Sequence, residues 1–421
     1  MMNYVYFTLL MVLCSCSSRM SAPESLTSIQ LLDRNGFSET ISIKDRLALY
    51  ETNNFEKPQP YQKVTRVYGK ASHGKTTSKI TTYHTNGLLW QYLEITSGRA
   101  HGNYQEWHPN GQLKIQAYVI EGTPDLSEVA QMTWVFEGDS LVFDEEGHLL
   151  ARIPYQQGKL EGISTYYFPS SRIQKEIPYH NHEIHGLLKV YDQEGTCLEK
   201  TSYVSGLKHG PSLIYSPLGH LQSEELYEKG LLSQGSYFSS LGVLSTMVQK
   251  GEGVKSLYQE GKLISEITYH QGKIEGVIKE FDPEGRVIHL YTLKNGFKEG
   301  EEWFYTLINQ ELYPKLMITW RQNKLSGPTL TWHINGKMES QREFFNNQKQ
   351  GSAFAWFKEG PLMLMEEYQD NLLIKGSYFN PLDPDPVSTV EKGCGIVTLF
   401  DESGHITHQI SYEKGVPQRD P

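Results

Sequence analysis

Glycine recurs in this chain with a fixed period, and such a period leaves few folds open. Gly162, Gly186 and Gly210 stand 24 residues apart, as do Gly276 and Gly300, and Gly327 and Gly351. A second series keeps the same spacing: Gly87 and Gly111, Gly195 and Gly219, Gly261 and Gly285, and Gly336 and Gly360. Self-similarity at about 20 to 50 residues marks repeat architectures, in which each small unit buries its face against its neighbours. Two glycine series sharing one period predict two turns per unit.

The segments between the glycines repeat as well. An aromatic stands four residues before the second-series glycine at Tyr83, Trp107, Tyr191, Tyr215, Phe281 and Trp332. Others precede a third glycine at Tyr155, Tyr203, Tyr227, Tyr269 and Tyr412. Leu89-Trp90-Gln91-Tyr92-Leu93-Glu94-Ile95 alternates with period two, the pattern of a strand with one buried face. Asn86-Gly87, Asn110-Gly111 and Asn335-Gly336 are the dipeptides preferred where both turn residues take positive φ. At Glu146-Gly147, Glu194-Gly195, Glu260-Gly261 and Glu284-Gly285 the first residue tolerates positive φ less well, which predicts loops of about three to five residues with Gly left-handed. One unit thus reads as strand, tight turn, strand, short loop.

The expected fold is all-β: an elongated, single-layer, twisted antiparallel sheet of tandem ~24-residue β-hairpin repeats over residues 83–415. At roughly 10 Å per two-stranded unit, an uninterrupted array of this length would exceed about 100 Å, and right-handed twist would wind it. Stability would come from neighbour-on-neighbour contacts, with the aromatics expected mostly to stack on their equivalents in the next hairpin. Composition agrees: 37 Gly and 26 Tyr accompany only 38% hydrophobic residues, which suits short strands and tight turns better than deep cores. A net charge of −10 weighs against a nucleic-acid partner.

The N-terminus carries a different signal. Val5 to Leu13 is apolar but shorter than the roughly 20 residues needed to span a bilayer, and it fits the core of a signal peptide. It ends in Leu13-Cys14-Ser15-Cys16, similar to a bacterial lipobox with Cys16 as the acylated first residue. Cys14 fits less well, because Leu13 would occupy the place of a small residue. No Lys or Arg precedes the apolar run, a departure from the usual signal. The expected division is a signal peptide at 1–15, the lipidated Cys16 and a tether at 16–28, a cap region at 29–82, repeats at 83–415 and a tail at 416–421. Ser17 after the cysteine leans the expected location to the outer membrane of a Gram-negative cell. Cys197 and Cys394 are too few for a disulfide framework and are expected to be unpaired.

The pattern Tyr-x-x-Gly-x-x-x-Gly, then an aromatic, then Asn-Gly or Glu-Gly, resembles the MORN-repeat variant of bacterial proteins across roughly residues 83 to 415. That resemblance implies a scaffold, and for the antitoxin-named members an antitoxin or immunity role against a partner protein; repeats of this kind serve unrelated functions. Three stretches break the register: 122–137, 305–320 and the Pro-rich 380–386. Each is expected to be an insertion or longer loop, where binding on a rigid scaffold often resides.

Motifs for chemistry are sparse. The glycines do not open a strand–loop–helix unit, so no phosphate cradle is expected. His180, His182, Glu183 and His185 carry metal-type donors, but alternate residues of a hairpin point apart, and the expected reading is a solvated loop without metal. His73, His101, His185 and His209 each precede a glycine, and this shared place argues for a turn role. Paired carboxylates such as Glu301-Glu302 and Glu366-Glu367 face opposite sides of a strand. The expectation is a non-enzymatic, membrane-anchored scaffold with a protein partner, no cofactor, no catalytic residue and no small-molecule substrate. The alternative is an envelope structural or lipid-contacting element.

Overall fold

The computed structural model describes residues 25–418 apart from 52, 53, 56, 72 and 73. Cys16, Cys14, the expected signal peptide and His73 lie outside them. The described chain is almost wholly antiparallel strand, most strands within each unit pairing with the next, as the period-two patterning predicts. It divides into two compact units, Met1–His182 and Glu183–Pro421. Among the described residues no helix is long and apolar enough to cross a membrane.

In the first unit the strand Ser25–Asp33 pairs on one side with Ser38–Ile41 and on the other with Gln62–Lys70. Gln62–Lys70 continues the ladder into Thr76–Tyr83 and the hairpins beyond. Most of the region expected to cap the array therefore supplies strands of its own, closed over Ile29, Ile41 and Leu47. The 122–137 stretch holds the helix Glu128–Gln131. It brings Trp134 edge-on to Tyr104, ring centroids 4.8 Å apart, and completes a core with Leu93, Val119 and Leu126.

Turn chemistry sorts the glycines differently from their spacing. The second series does mark loops, but Asn-Gly and most Glu-Gly share one geometry. At His84-Thr-Asn-Gly-Leu88 the N–H of His84 donates to Leu88 O and that of Gly87 to His84 O. Only Gly87 has positive φ, so this is a three-residue loop with a left-handed glycine rather than the two-residue turn expected for Asn-Gly. The loops at Gly147, Gly195 and Gly285 follow the same pattern. Glu260-Gly261 does not: both residues have positive φ (49° and 80°), and Gln259 pairs directly with Lys262.

The first series is not at turns at all. Gly210 lies inside the strand Leu207–Tyr215 at φ +91°, where residues 209–211 face Ser202 alone between the pairs Thr201↔Ser212 and Tyr203↔Lys208. It is a bulge, and the glycine is needed for the φ value. The tight turns fall instead at the third glycine. Ser205-Gly206, Gln157-Gly158 and Asn295-Gly296 each place two residues at positive φ between paired strands. Their backbone matches the strand twist, which favours such turns.

The second unit contains the other two irregular stretches. At 305–320 there is no loop: the strands Gly300–Ile308 and Glu311–Arg321 lengthen into a continuous pair closed by Asn309-Gln310, both at positive φ. The 380–386 stretch is a turn held by Asn380, whose Oδ1 accepts the N–H of Leu382. Cys197 and Cys394 are free.

This unit also folds back on itself twice, through the same device. Leu232 N–H donates to Gly272 O, Gly272 N–H to Gly251 O and Gly251 N–H to Ser233 O, tying three chain segments into a ring. Leu373, Gly415, Gly393 and Ile374 repeat it bond for bond. Each corner buries a leucine and a tyrosine completely, Leu232 with Tyr237 and Leu373 with Tyr378. Full burial of one such leucine is worth roughly 1.5–3 kcal/mol.

Candidate functional site

Histidines and carboxylates were the natural candidates for chemistry, and the structure gives most of them backbone work. At many of the bulges, the residue before the glycine accepts the N–H of the first residue in the next tight turn. His209 Nδ1 takes Lys229 N–H at 3.2 Å, and His185 Nδ1 takes Ser205 N–H at 3.5 Å. Glu161 takes Asn181 N–H at 2.9 Å, Glu252 takes Gln271 N–H at 3.0 Å, and Gln350 takes Asp370 N–H at 2.9 Å. The His-Gly dipeptides thus serve turns from within a strand. His101 differs in bonding Ile120 O through Nδ1, at 2.8 Å.

Of the other candidates, His180 pairs with Glu161 at 2.9 Å. His182 sits in a tight turn at φ +70° and accepts Leu160 N–H through Nδ1. A different trio, Asp144, Glu146 and His148, brings its donor atoms within 4.8 Å of one another. It is a loop motif: Asp144 Oδ1 accepts the N–H groups of Glu146 and His148, and Oδ2 meets the His148 ring at 3.0 Å. Asp401 and His405 do the same in their own loop.

Loops of the His-x-Asn-Gly type bind their neighbours. His84 Nε2 reaches Trp107 O at 2.8 Å and Asn86 Nδ2 donates to Pro109 O at 2.7 Å. His108 with Asn110, and His333 with Asn335, repeat the pair of contacts one hairpin on. Loops of the Asp-x-x-Gly type are capped from within by the aspartate, and some also reach a neighbour: Arg286 donates to Gln310 O at 3.3 Å, and Glu402 accepts Lys358 N–H at 2.8 Å. The array therefore carries two kinds of loop, one clamped by histidine and asparagine and one capped by its own aspartate.

The sealed carboxylates, Glu225 and Glu302, lie in the second unit. Glu225 is 2% exposed, inside the first corner. Its Oε1 accepts Tyr237 O–H at 2.9 Å and Lys255 Nζ–H at 2.6 Å, and its Oε2 accepts Tyr227 O–H at 3.1 Å. Lys255 Nζ also lies 5.6 Å from the centre of the Tyr237 ring. Burial first, and the Glu225 charge second, push the Tyr227 and Tyr237 hydroxyls far above their ordinary range and the Tyr269 hydroxyl to about 12. These hydroxyls remain protonated donors. Gly235 is required here, because a Cβ would stand 2.4 Å from the Tyr237 hydroxyl.

The second corner repeats the carboxylate and the tyrosines. Glu366 accepts Tyr378 O–H at 2.9 Å and Tyr368 O–H at 3.0 Å. Gly376 again makes room for the folded-over Tyr378. Between the corners stands Glu302, 1% exposed, which accepts from His289, Lys298 and Trp320. Burial opposes its charge, but those three donors outweigh burial and hold its pKa below the usual carboxylate value.

Two depressions accompany these features. One of about 880 Å³ overlies the first corner, lined by His209, Lys229, Leu232, Lys250 and Gln271 among others. The other, about 380 Å³, is formed by Pro361, Phe379 and the 381–384 turn with its outward Leu382. The signal that would have located the corners was in the sequence. Leu231-Leu232-Ser-Gln-Gly-Ser-Tyr-Phe238 recurs as Leu372-Leu373-Ile-Lys-Gly-Ser-Tyr-Phe379, an echo outside the 24-residue spacing that marks both corners.

Two of the hairpin units, residues 100–120 and 160–181, match the family model described as the MORN repeat variant. No curated protein matches the chain. Among solved structures, the chain is similar to a Photorhabdus luminescens Tc holotoxin pore carrying a mutated TccC3. The identity is 12% and the TM-score 0.14, over 91% of this chain and 23% of that one. A TcdB2–TccC3 crystal structure is similar at 11% identity and a TM-score of 0.13, over 94% of this chain and 25% of that one. The chain thus spans about a quarter of the length of those chains.

Proposed function

We propose that this chain, an array of hairpins that includes MORN-variant repeats, is a non-enzymatic, membrane-anchored lipoprotein that serves as a protein-binding scaffold. One observation carries the binding role. The most exposed apolar side chains sit on loops and insertions of an otherwise regular sheet: Leu241 at 87%, Met132 at 84%, Leu218 at 83%, Leu382 at 82%, Phe37 and Tyr61 at 79% and Val129 at 76%. Apolar groups displayed from rigid elements are characteristic of partner contacts. Three of these positions, Val129, Met132 and Leu382, fall in the register-breaking stretches 122–137 and 380–386. The anchor rests on Cys16 and the apolar run before it. An antitoxin or immunity-like contact with one partner is the finer role that the MORN-variant resemblance suggests.

The buried carboxylates support a role without catalysis. Glu225 and Glu302 are each saturated by donors from the same chain, which leaves them structural. A second reading, an envelope or lipid-contacting element, draws on a different row. The residues just after several bulge glycines, Ile163, Leu187, Val277 and Ile396, are 39–51% exposed.

The test is in-cell crosslinking and affinity purification of the full-length protein from its native membranes. One dominant protein partner, lost when 122–137 or 380–386 is shortened, is the expected result. Recovery of lipid alone, or of the chain crosslinked to itself, overturns the scaffold reading in favour of the second. Labelling with radioactive palmitate tests the anchor separately: Cys16→Ser is expected to abolish the label and shift the protein out of the membrane fraction. Persistent label would exclude Cys16 as the acylated residue.

A further inference from the structure

The chain holds five Asn-Gly dipeptides, at Asn35, Asn86, Asn110, Asn295 and Asn335, and the fold treats them unequally. Asn-Gly is a chemically labile pair. The glycine backbone nitrogen can attack the asparagine side-chain carbonyl carbon, and glycine lacks the Cβ that would hinder the approach. The reaction needs the side-chain amide free to turn toward the main chain and the glycine N–H free to lose its proton.

Three of the five are held at both groups. Asn86 Nδ2 donates to Pro109 O at 2.7 Å, and its Oδ1 accepts Leu88 N–H at 3.0 Å. Asn110 bonds Glu145 O and Gln112 N–H in the same way, and Asn335 bonds Lys358 O and Lys337 N–H. The N–H groups of Gly87, Gly111 and Gly336 each donate within their loop at 2.9 Å, to His84 O, His108 O and His333 O. Asn35 is half held: its side chain has no partner among the described residues, but Gly36 N–H donates to Asp33 O at 3.3 Å.

Asn295-Gly296 is held at neither. Among the described residues it is the one Asn-Gly with both residues at positive φ, and so it forms a tight turn rather than a clamped three-residue loop. Lys294, Asn295, Gly296 and Phe297 are all exposed. Neither the Asn295 side chain nor the Gly296 N–H has a hydrogen-bond partner among the described residues, whereas Gly158, Gly206 and Gly230 in the equivalent turns donate to Phe136 O, Ile184 O and Lys208 O. The strand that follows the turn is only Phe297–Lys298, so little ladder has to open for the turn to move.

We propose that Asn295 is a site of spontaneous covalent modification, deamidating through a cyclic imide while the clamped asparagines stay intact. Gly296 N, deprotonated by hydroxide, bonds to Asn295 Cγ; the Cγ–Nδ2 bond breaks, and ammonia leaves with a proton taken from water. Water then opens the imide at either carbonyl, giving an aspartyl or an isoaspartyl link, with nothing oxidised or reduced. Both products add a negative charge. The isoaspartyl product also inserts a carbon into the main chain of a turn whose ends, Lys294 and Phe297, are paired. The inference is independent of the scaffold reading, because water is the only co-reactant.

The test ages the folded full-length protein in heavy-oxygen water at mildly alkaline pH and maps its peptides by mass spectrometry after digestion in ordinary water. Only deamidation during ageing then carries the label. A parallel sample is aged in concentrated urea. In the folded chain the label is expected first at Asn295 and more slowly at Asn35, with rates at Asn86, Asn110 and Asn335 at least about tenfold below that of Asn295. In urea the five rates should converge, since glycine follows each asparagine. Equal rates at Asn295 and the three clamped asparagines in the folded chain overturn the proposal. The same order of rates persisting in urea also overturns it, because the order would then belong to the local sequence and not to the fold.

Discussion

Replacing Lys255 by methionine tests whether the corner is held by its ion pair or by the apolar side chains around it. The structure sets the scale. The pair is short, at 2.6 Å, and the two side chains are only 17% and 1% exposed. Coulomb's law at an effective dielectric of about 20 gives a gross attraction of roughly 6 kcal/mol at that separation, most of it spent on desolvating both groups. Removing one partner of a buried pair costs about 3–5 kcal/mol, because the other charge is left uncompensated. Two tyrosine hydroxyls still bond to Glu225, which places the expected loss at the low end, about 3 kcal/mol. The double variant Glu225→Gln with Lys255→Met removes the stranded charge and should regain about half of that loss. Urea unfolding gives the free energies, and hydrogen exchange at the Leu232, Gly251 and Gly272 amides reports the corner itself, since those amides close the ring of bonds. A loss below about 1 kcal/mol, or a double variant no more stable than the single one, would refute the reasoning.

Other perturbations separate the structural devices. Gly253→Ala places a Cβ 2.1 Å from Met247 O at φ +138° and should cost more than about 3 kcal/mol, whereas Gly285→Ala, in open space at φ +82°, should cost only about 1 kcal/mol; parallel urea titrations compare them. Asn110→Ala loses the bond to Glu145 O at 2.7 Å and the one from Gln112 N–H at 2.9 Å, and should cost about 1 kcal/mol with faster amide exchange confined to that loop and the next. Glu302 has its pKa held below the usual 4.5, so its stabilisation is complete above about pH 4.5 and is lost as pH falls through the lower folded value. Melting curves across that range should therefore show a flatter acid limb for Glu302→Gln than for the natural chain, and identical slopes would count against the cluster.

Much of the fold was legible because it is local. A left-handed glycine, a positive-φ pair and a period-two strand each depend on a few neighbouring residues, so their spacing announces hairpins wherever it occurs. Where the structure departs from the pattern, the reason is local too. The spacing of Gly210 and its series predicts turns, although the tight turns sit at Gly206 and its equivalents. Glycine at positive φ serves a bulge as readily as a turn, and spacing alone does not distinguish them. Asn86-Gly87 likewise reads as a two-residue turn, yet the His84 and Asn86 side chains bond to the next hairpin and sit in the longer loop. That preference is set by a neighbour 23 residues away.

What the sequence determined by itself is the repeat: all-β hairpins, their length, the places where register breaks, and the apolar run ending at Cys16. What only the tertiary structure decided is which polar groups are sealed and which are left open. Glu225 and Glu366 look alike along the chain, each followed two residues later by a tyrosine. Their difference comes from a strand that returns 30 residues on and delivers Lys255 to the first carboxylate, where its counterpart delivers Val397 to the second corner. Burial and ion pairing act through space, so a residue's electrostatic role is written in the segment folded over it rather than in its neighbours along the chain.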